Sequence, residues 1–212
     1  PIYIGADKPL SKTYINALDT HGADGLGESF LDNVEGYRQD DDAITFLSKA
    51  LQEDICSVIA IGPLTNLALL IKTNEEAFNH IDQLVSMGGN YRSHGNCSPI
   101  AEYNYWEDPD AAAIVYEQMR KIHKQIHMVG LDVTRKIVLT PNLLAYLERL
   151  DSVHGSFIRK ITDFYFTFHW EWEHIIGCVI NDPLAVAYFL KPELCSGITA
   201  SLEIATDGIA RG

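Results

Sequence analysis

The chain has 212 residues, 47% hydrophobic and 21% charged, enough to build a sizeable core; that excludes disorder, a collagen-like repeat and a small disulfide-stapled scaffold. Asp and Glu number 29 against 16 Lys and Arg, a net charge of −13, and no basic stripe suited to a nucleic acid is visible. The expected partner is neutral or cationic, a divalent metal included, and the acidity says nothing about fold.

Pro1-Ile2-Tyr3-Ile4-Gly5 reads as the end of a strand entered from upstream, without the charged and apolar regions of a signal peptide. Asp40-Asp41-Asp42 reads as a solvated acidic cap. A buried strand is expected over Ile55–Ile61, then Gly62-Pro63 and a helix over Leu64–Ile71. The next strand, Gln83–Met87, closes on Gly88-Gly89, and a long polar loop runs to Pro109. Asp110–Glu117 is helical and Ile126–Leu131 is a third strand. Helices follow over Pro141–Leu150, Phe157 to about Glu173, and Asp182 to Leu190, with a late strand at Leu202–Ala205. Strands alternating with helices, without hairpin signals, predict an α/β fold: a Rossmann-like, open, mostly parallel sheet with helices on both faces. No repeat or linker interrupts it, so a single domain over 1–212 is expected. No stretch of 18 apolar residues suggests a membrane span. Cys56, Cys97, Cys178 and Cys195 form no CxxC pair and read as free thiols of a reducing, cytoplasmic compartment.

In parallel α/β sheets ligands sit beyond the carboxyl ends of the strands, which directs attention to Ile61-Gly62, Met87 to Asp108, and Leu131-Asp132. There is no GxGxxG, P-loop or GxSxG, so the dinucleotide, NTP-phosphate and nucleophile-elbow fingerprints are missing. The polar segment after Met87 holds Asn90, Asn96, Glu102 and Asn104. Amides and a carboxylate can bind several sugar hydroxyls in fixed directions. The same residues can simply close turns, and spacing alone leaves both readings open.

Ile61-Gly62-Pro63-Leu64-Thr65-Asn66-Leu67-Ala68, Met87-Gly88-Gly89, Gly95-Asn96, Ala101-Glu102-Tyr103-Asn104 and Asp108-Pro109-Asp110-Ala111-Ala112 together resemble the nucleoside hydrolases of the inosine–uridine-preferring type. Gly5–Leu10, His21–Gly27, Gly130–Thr134, Asn181–Ala185 and Asp207–Gly212 match in the same order. The resemblance implies hydrolysis of a nucleoside's N-glycosidic bond to ribose and free base, aided by Ca²⁺. It implies metal ligation by Asp182 and the main-chain carbonyl of Ile61, and ribose binding by Asn96, Glu102 and Asn104 with Met87 lining the pocket. His21 would lie near the base, or is a solvated loop histidine. A homodimer or homotetramer is also implied.

Two departures stand out. The family's N-terminal aspartate cluster, DxDxxxDD, has no counterpart here, so the expectation is a chain partial at both ends and with little activity alone. Asn181 occupies a position that is often His in the family, where an acid would protonate the leaving base. A non-catalytic nucleoside- or ribose-binding homologue, or an inactive fragment, is the alternative. His174 is a distant substitute for the acid, and Trp170 and Trp172 read as core.

Overall fold

The computed structural model describes residues 1–32 and 36–212. In chain order its elements are β1 (Ile2–Ile4), α1 (Leu18–His21), β2 (Arg38–Asp42), α2 (Ala43–Glu53), β3 (Val58–Ala60), α3 (Thr65–Asn79), β4 (Leu84–Met87), α4 (Tyr103–Glu107) and α5 (Pro109–Lys121). They continue with β5 (Ile126–Val129), α6 (Leu131–Thr134), β6 (Val138–Leu139), α7 (Pro141–Leu150), α8 (Ser152–Glu173), β7 (Cys178–Val179) and α9 (Asp182–Leu190). These gather into two units, one of Pro1–Tyr14, Glu35–Thr134 and Asn181–Gly212, the other of Ile15–Val34 and Arg135–Ile180.

In the first unit β3, β4 and β5 form a parallel sheet in that order, with Val58 opposite Leu84 and Leu84 opposite Ile126. Successive strand side chains point to opposite faces, and the packing follows that alternation. Leu84, Ala60 and Met128 join Leu67, Leu70, Ala111, Val115 and Met119 of α3 and α5 in one core. Val85, Met87 and Val129 face the other way and pack with Leu184 and Ala185 of α9. Helices therefore cover both faces, as the alternation of strands and helices predicts. Full burial of each large aliphatic side chain contributes roughly 1.5–3 kcal/mol. The Asp108 carboxylate caps α5 through the Ala111 N–H and also accepts from the Leu10 N–H and the Thr65 hydroxyl, tying three segments together.

The expected elements recur with shifted ends. The third strand stops at Val129 because Leu131 opens α6. The polar loop before Pro109 is not wholly irregular: its last residues form α4, too short to show a period in sequence. Leu202–Ala205 is not a strand; its tie in this segment is a hydrogen bond from Gly212 N–H to the Ala205 carbonyl. Asp40–Asp42 is solvated as expected but lies in β2, parallel to β1, and Asp42 caps α2 through the Ile44 and Thr45 N–H groups.

The second unit is an α7–α8 hairpin with the antiparallel β6–β7 pair, closed around Leu139, Leu144 and Cys178. Gly155 lets the helices approach: a Cβ there would stand 2.5 Å from the Glu148 Cα. Beside it Arg159 makes a two-pronged ion pair to Glu148, at 2.6 Å in each prong. Trp170 and Trp172, at 55% and 70% exposure, are surface residues rather than the core residues expected. Among the described residues no helix is long and apolar enough to cross a membrane.

Candidate active site

The site is built at the carboxyl end of β4. Gly88 and Gly89 follow Met87, and both are sterically required. A Cβ on Gly88 would stand 2.3 Å from the Tyr105 ring, and Gly89 has φ +68°. The Gly89 carbonyl accepts the Leu131 N–H at 3.0 Å, holding the loop to the end of β5.

Glu102 is the hub. It is 2% exposed and caps α4, its carboxylate accepting the N–H groups of Gly89 (2.8 Å), Asn104 (3.0 Å) and Tyr105 (3.2 Å). Burial pushes its pKa up to about 7 against the pull of those donors, and the Asp182 carboxylate adds repulsion. Asp182 stands in the first turn of α9, with its own pKa pushed up to about 6 by burial. The Glu102 carboxyl therefore feels the charge of Asp182, at the start of the helix that packs on β4 through Leu184 and Ala185.

Asn104 is buried, its amide donating to the Met87 carbonyl at 3.1 Å with the Met87 Sδ at 3.2 Å. Asn96 is more exposed, and its Oδ1 accepts the Tyr103 N–H at 2.9 Å. Met87, Asn96, Glu102 and Asn104 are therefore linked around one short helix, with Asp182 coupled to Glu102 through space. Ile61, just beyond β3, lines a cleft of about 590 Å³ with Asp7, Lys8, Asn66 and Tyr103; Asp182 is not among its lining residues. Asn181 precedes α9 without capping it through its side chain.

His21 lies in the second unit, stacked on Tyr165 with ring centroids 5.5 Å apart. Desolvation and the neighbouring His169 lower its pKa, while Asp19 pulls the other way. His174 ends α8 in a left-handed conformation, its Nδ1 at 3.0 Å from the Trp170 carbonyl.

His169 is the buried histidine of this unit. Val179 N–H can only donate, so Nε2 accepts it at 3.3 Å and the ring proton sits on Nδ1, which donates to the Tyr165 carbonyl at 3.0 Å. Burial lowers its pKa; the Tyr165 carbonyl and Glu173 oppose that, and Arg135 adds to it. The unfolded chain therefore takes up this proton more readily than the native one. The stabilisation is complete above about pH 6.5 and is lost as pH falls through the lowered native value. Thermal unfolding of the second unit should move to lower temperature between pH 7.5 and 5, with a shallower slope for His169→Gln. Equal slopes for the two proteins would rule out this residue as the cause.

Sequence reasoning singled out Leu131-Asp132 as a strand end but gave Asp132 no role. Its carboxylate accepts the N–H groups of Tyr91 (2.6 Å), Arg92 (2.7 Å) and Ser93 (2.8 Å). Its place just past a strand end was the available signal.

A sequence model described as inosine-uridine preferring nucleoside hydrolase matches residues 1–212. The chain belongs to this family. It is 33% identical over 214 residues to a pyrimidine-specific ribonucleoside hydrolase RihA of Photobacterium profundum, covering 98% of the chain and 66% of that relative. It is 30% identical to probable uridine nucleosidase 1 of Oryza sativa subsp. japonica, covering all of the chain and 65% of that protein. The solved plant nucleoside hydrolase PpNRh1 superposes with a TM-score of 0.91 at 29% identity, over 100% of this chain and 66% of that one. A purine-preferring ribonucleoside hydrolase from Gardnerella vaginalis gives 0.88 at 28% identity, over 99% of this chain and 67% of that one. The chain thus spans about two thirds of the length of these nucleoside hydrolases.

The calcium ion suggested by the family resemblance does not fit the described residues on their own. Calcium takes roughly six to eight oxygens. Among the described residues no three His, Cys, Asp or Glu side chains group as a metal site. Glu102 already accepts three backbone N–H groups, so it and Asp182 together offer far fewer oxygens than calcium's shell needs.

Proposed function

We propose that the intact protein hydrolyses the N-glycosidic bond of ribonucleosides, and that the corner at the end of β4 binds the ribose. The observation that carries this is the buried Glu102 carboxylate at the start of α4, with the Asn96 and Asn104 amides tied to the same helix. A carboxylate has about four lone-pair positions, so Glu102 keeps one for a hydroxyl beyond its three N–H donors. Asn104 spends its N–H on Met87 and keeps its oxygen; Asn96 spends its oxygen on Tyr103 and keeps its N–H. A vicinal diol, donor and acceptor at each oxygen, complements that set.

Cleavage of the glycosidic bond leaves positive charge on the ribose ring, which Asp182 and Glu102 would stabilise. Water supplies the new bond at the anomeric carbon, and the departing base takes up a proton. Because the named relatives include a pyrimidine-specific hydrolase and a uridine nucleosidase, uridine is the substrate to test first. A homo-oligomer is part of the proposal.

Asn181 favours a second reading, binding without turnover, because an amide has no proton to give at neutral pH. A reducing-sugar assay with uridine and inosine, run beside calorimetric binding and repeated with EDTA, separates the two. Ribose release supports hydrolysis and saturable binding without release supports the second reading. Neither binding nor release would sink both, and the chelator arm reads metal dependence separately.

A further inference from the structure

We propose that Asp132 is a positioning residue for ribose binding, fixing the loop between β4 and α4 that presents Asn96. The inference rests on the ribose reading above and adds to it a residue that touches no substrate. One carboxylate gathers three consecutive N–H groups, from Tyr91, Arg92 and Ser93, across forty residues of sequence. Burial raises the pKa of Asp132, but those donors more than offset it and hold the group below the usual aspartate value. It is therefore charged, and charge-assisted hydrogen bonds are the stronger kind.

The held turn is coupled to the rest of the loop. Asn90 donates to the Ser93 carbonyl at 2.6 Å. Two residues after Ser93, the Gly95 N–H reaches the Pro99 carbonyl at 3.0 Å, and the Asn96 N–H reaches the Ala101 carbonyl at 3.0 Å. Gly95 has no room for a side chain: a Cβ would stand 2.2 Å from the Ser98 carbonyl oxygen. A tightly folded loop passes a displacement at one end to the other. Asp132 follows β5, the strand paired with β4, so it references the loop to the same sheet that carries Met87 and Glu102's partner Gly89.

The test uses the intact protein with uridine, in the unaltered form and as Asp132→Ala, Asp132→Asn and Asn96→Ala. Asp132→Ala should raise KM about tenfold with kcat changed less than about twofold, because orientation of a binding group is lost and no reacting group is. Asp132→Asn, which keeps one acceptor oxygen, should fall between. In the double variant with Asn96→Ala, Asp132→Ala should add little, since both act through one contact. Hydrogen exchange should show protection lost beyond Ser93, through residues 95–102. Full additivity in the double variant, an equal loss in kcat and KM terms, or exchange confined to residues 91–93 would each overturn the inference. If the unaltered protein neither binds nor cleaves uridine or inosine, the ribose reading fails. The exchange experiment still decides whether Asp132 holds the loop.

Discussion

Glu102→Ala should lower kcat/KM for uridine by about 100-fold or more and cost about 3 kcal/mol of unfolding free energy. Three N–H groups lose their acceptor at once, and two of them, on Asn104 and Tyr105, belong to the first turn of α4. Leaving one buried donor unsatisfied costs roughly 1–3 kcal/mol, and losing a helix cap costs about 0.5–2 kcal/mol. These overlap here, because relaxation of the short helix lets water reach some of the groups. The same relaxation moves Asn104 off Met87, so function falls further than stability. Glu102→Gln separates the effects. Its amide keeps one acceptor oxygen and turns a donor toward an N–H, so stability should fall by about half as much while the negative charge is wholly removed. Urea unfolding and steady-state kinetics on the two variants give the comparison. A Glu102→Ala protein that folds and keeps its KM would place the ribose elsewhere.

The sheet was readable because its strands are mostly apolar and pack on both faces, β4 being buried throughout. Val58–Ala60, Leu84–Met87 and Ile126–Val129 lie in mostly apolar runs, and turn residues bound them. Leu202–Ala205 has a similar run but is not part of a strand pair, and a ladder is a property of two segments that neither displays alone. Helix α4 escaped for another reason: five residues are too few for a helical period, and its cause is a cap by Glu102 that looks in sequence like any acidic residue. In the site, clustering within nine positions drew attention to Asn96, Glu102 and Asn104 but left turn closure equally open, and their ribose-binding role came from the family resemblance. Asp132 could not be given a role, because its partners at 91–93 lie far off in sequence and are backbone groups, whose identity leaves no mark.

Asp182→Asn should reduce kcat/KM for uridine by about 100-fold or more, whereas Asn181→His, one residue earlier, should raise kcat by about tenfold. The two substitutions act on opposite ends of the bond that breaks. Burial pushes the Asp182 pKa up to about 6, and in such a partly desolvated place a negative charge stabilises a cationic ribose far better than it would in water. The asparagine keeps size and polarity and removes the charge, so the loss should appear in kcat more than in KM. Asn181 precedes it at the start of α9 and carries no proton that a departing base could accept. An imidazole there could supply one near neutral pH, a contribution of about 10²–10⁴-fold when fully positioned and less for a grafted side chain. A p-nitrophenyl riboside discriminates between the two roles, because its leaving group departs as a stable anion without protonation. On that substrate Asp182→Asn should remain severely impaired and Asn181→His should give no gain. A gain of equal size on both substrates would show that residue 181 acts on something other than the leaving group, and unimpaired turnover by Asp182→Asn would remove the carboxyl pair from the reaction.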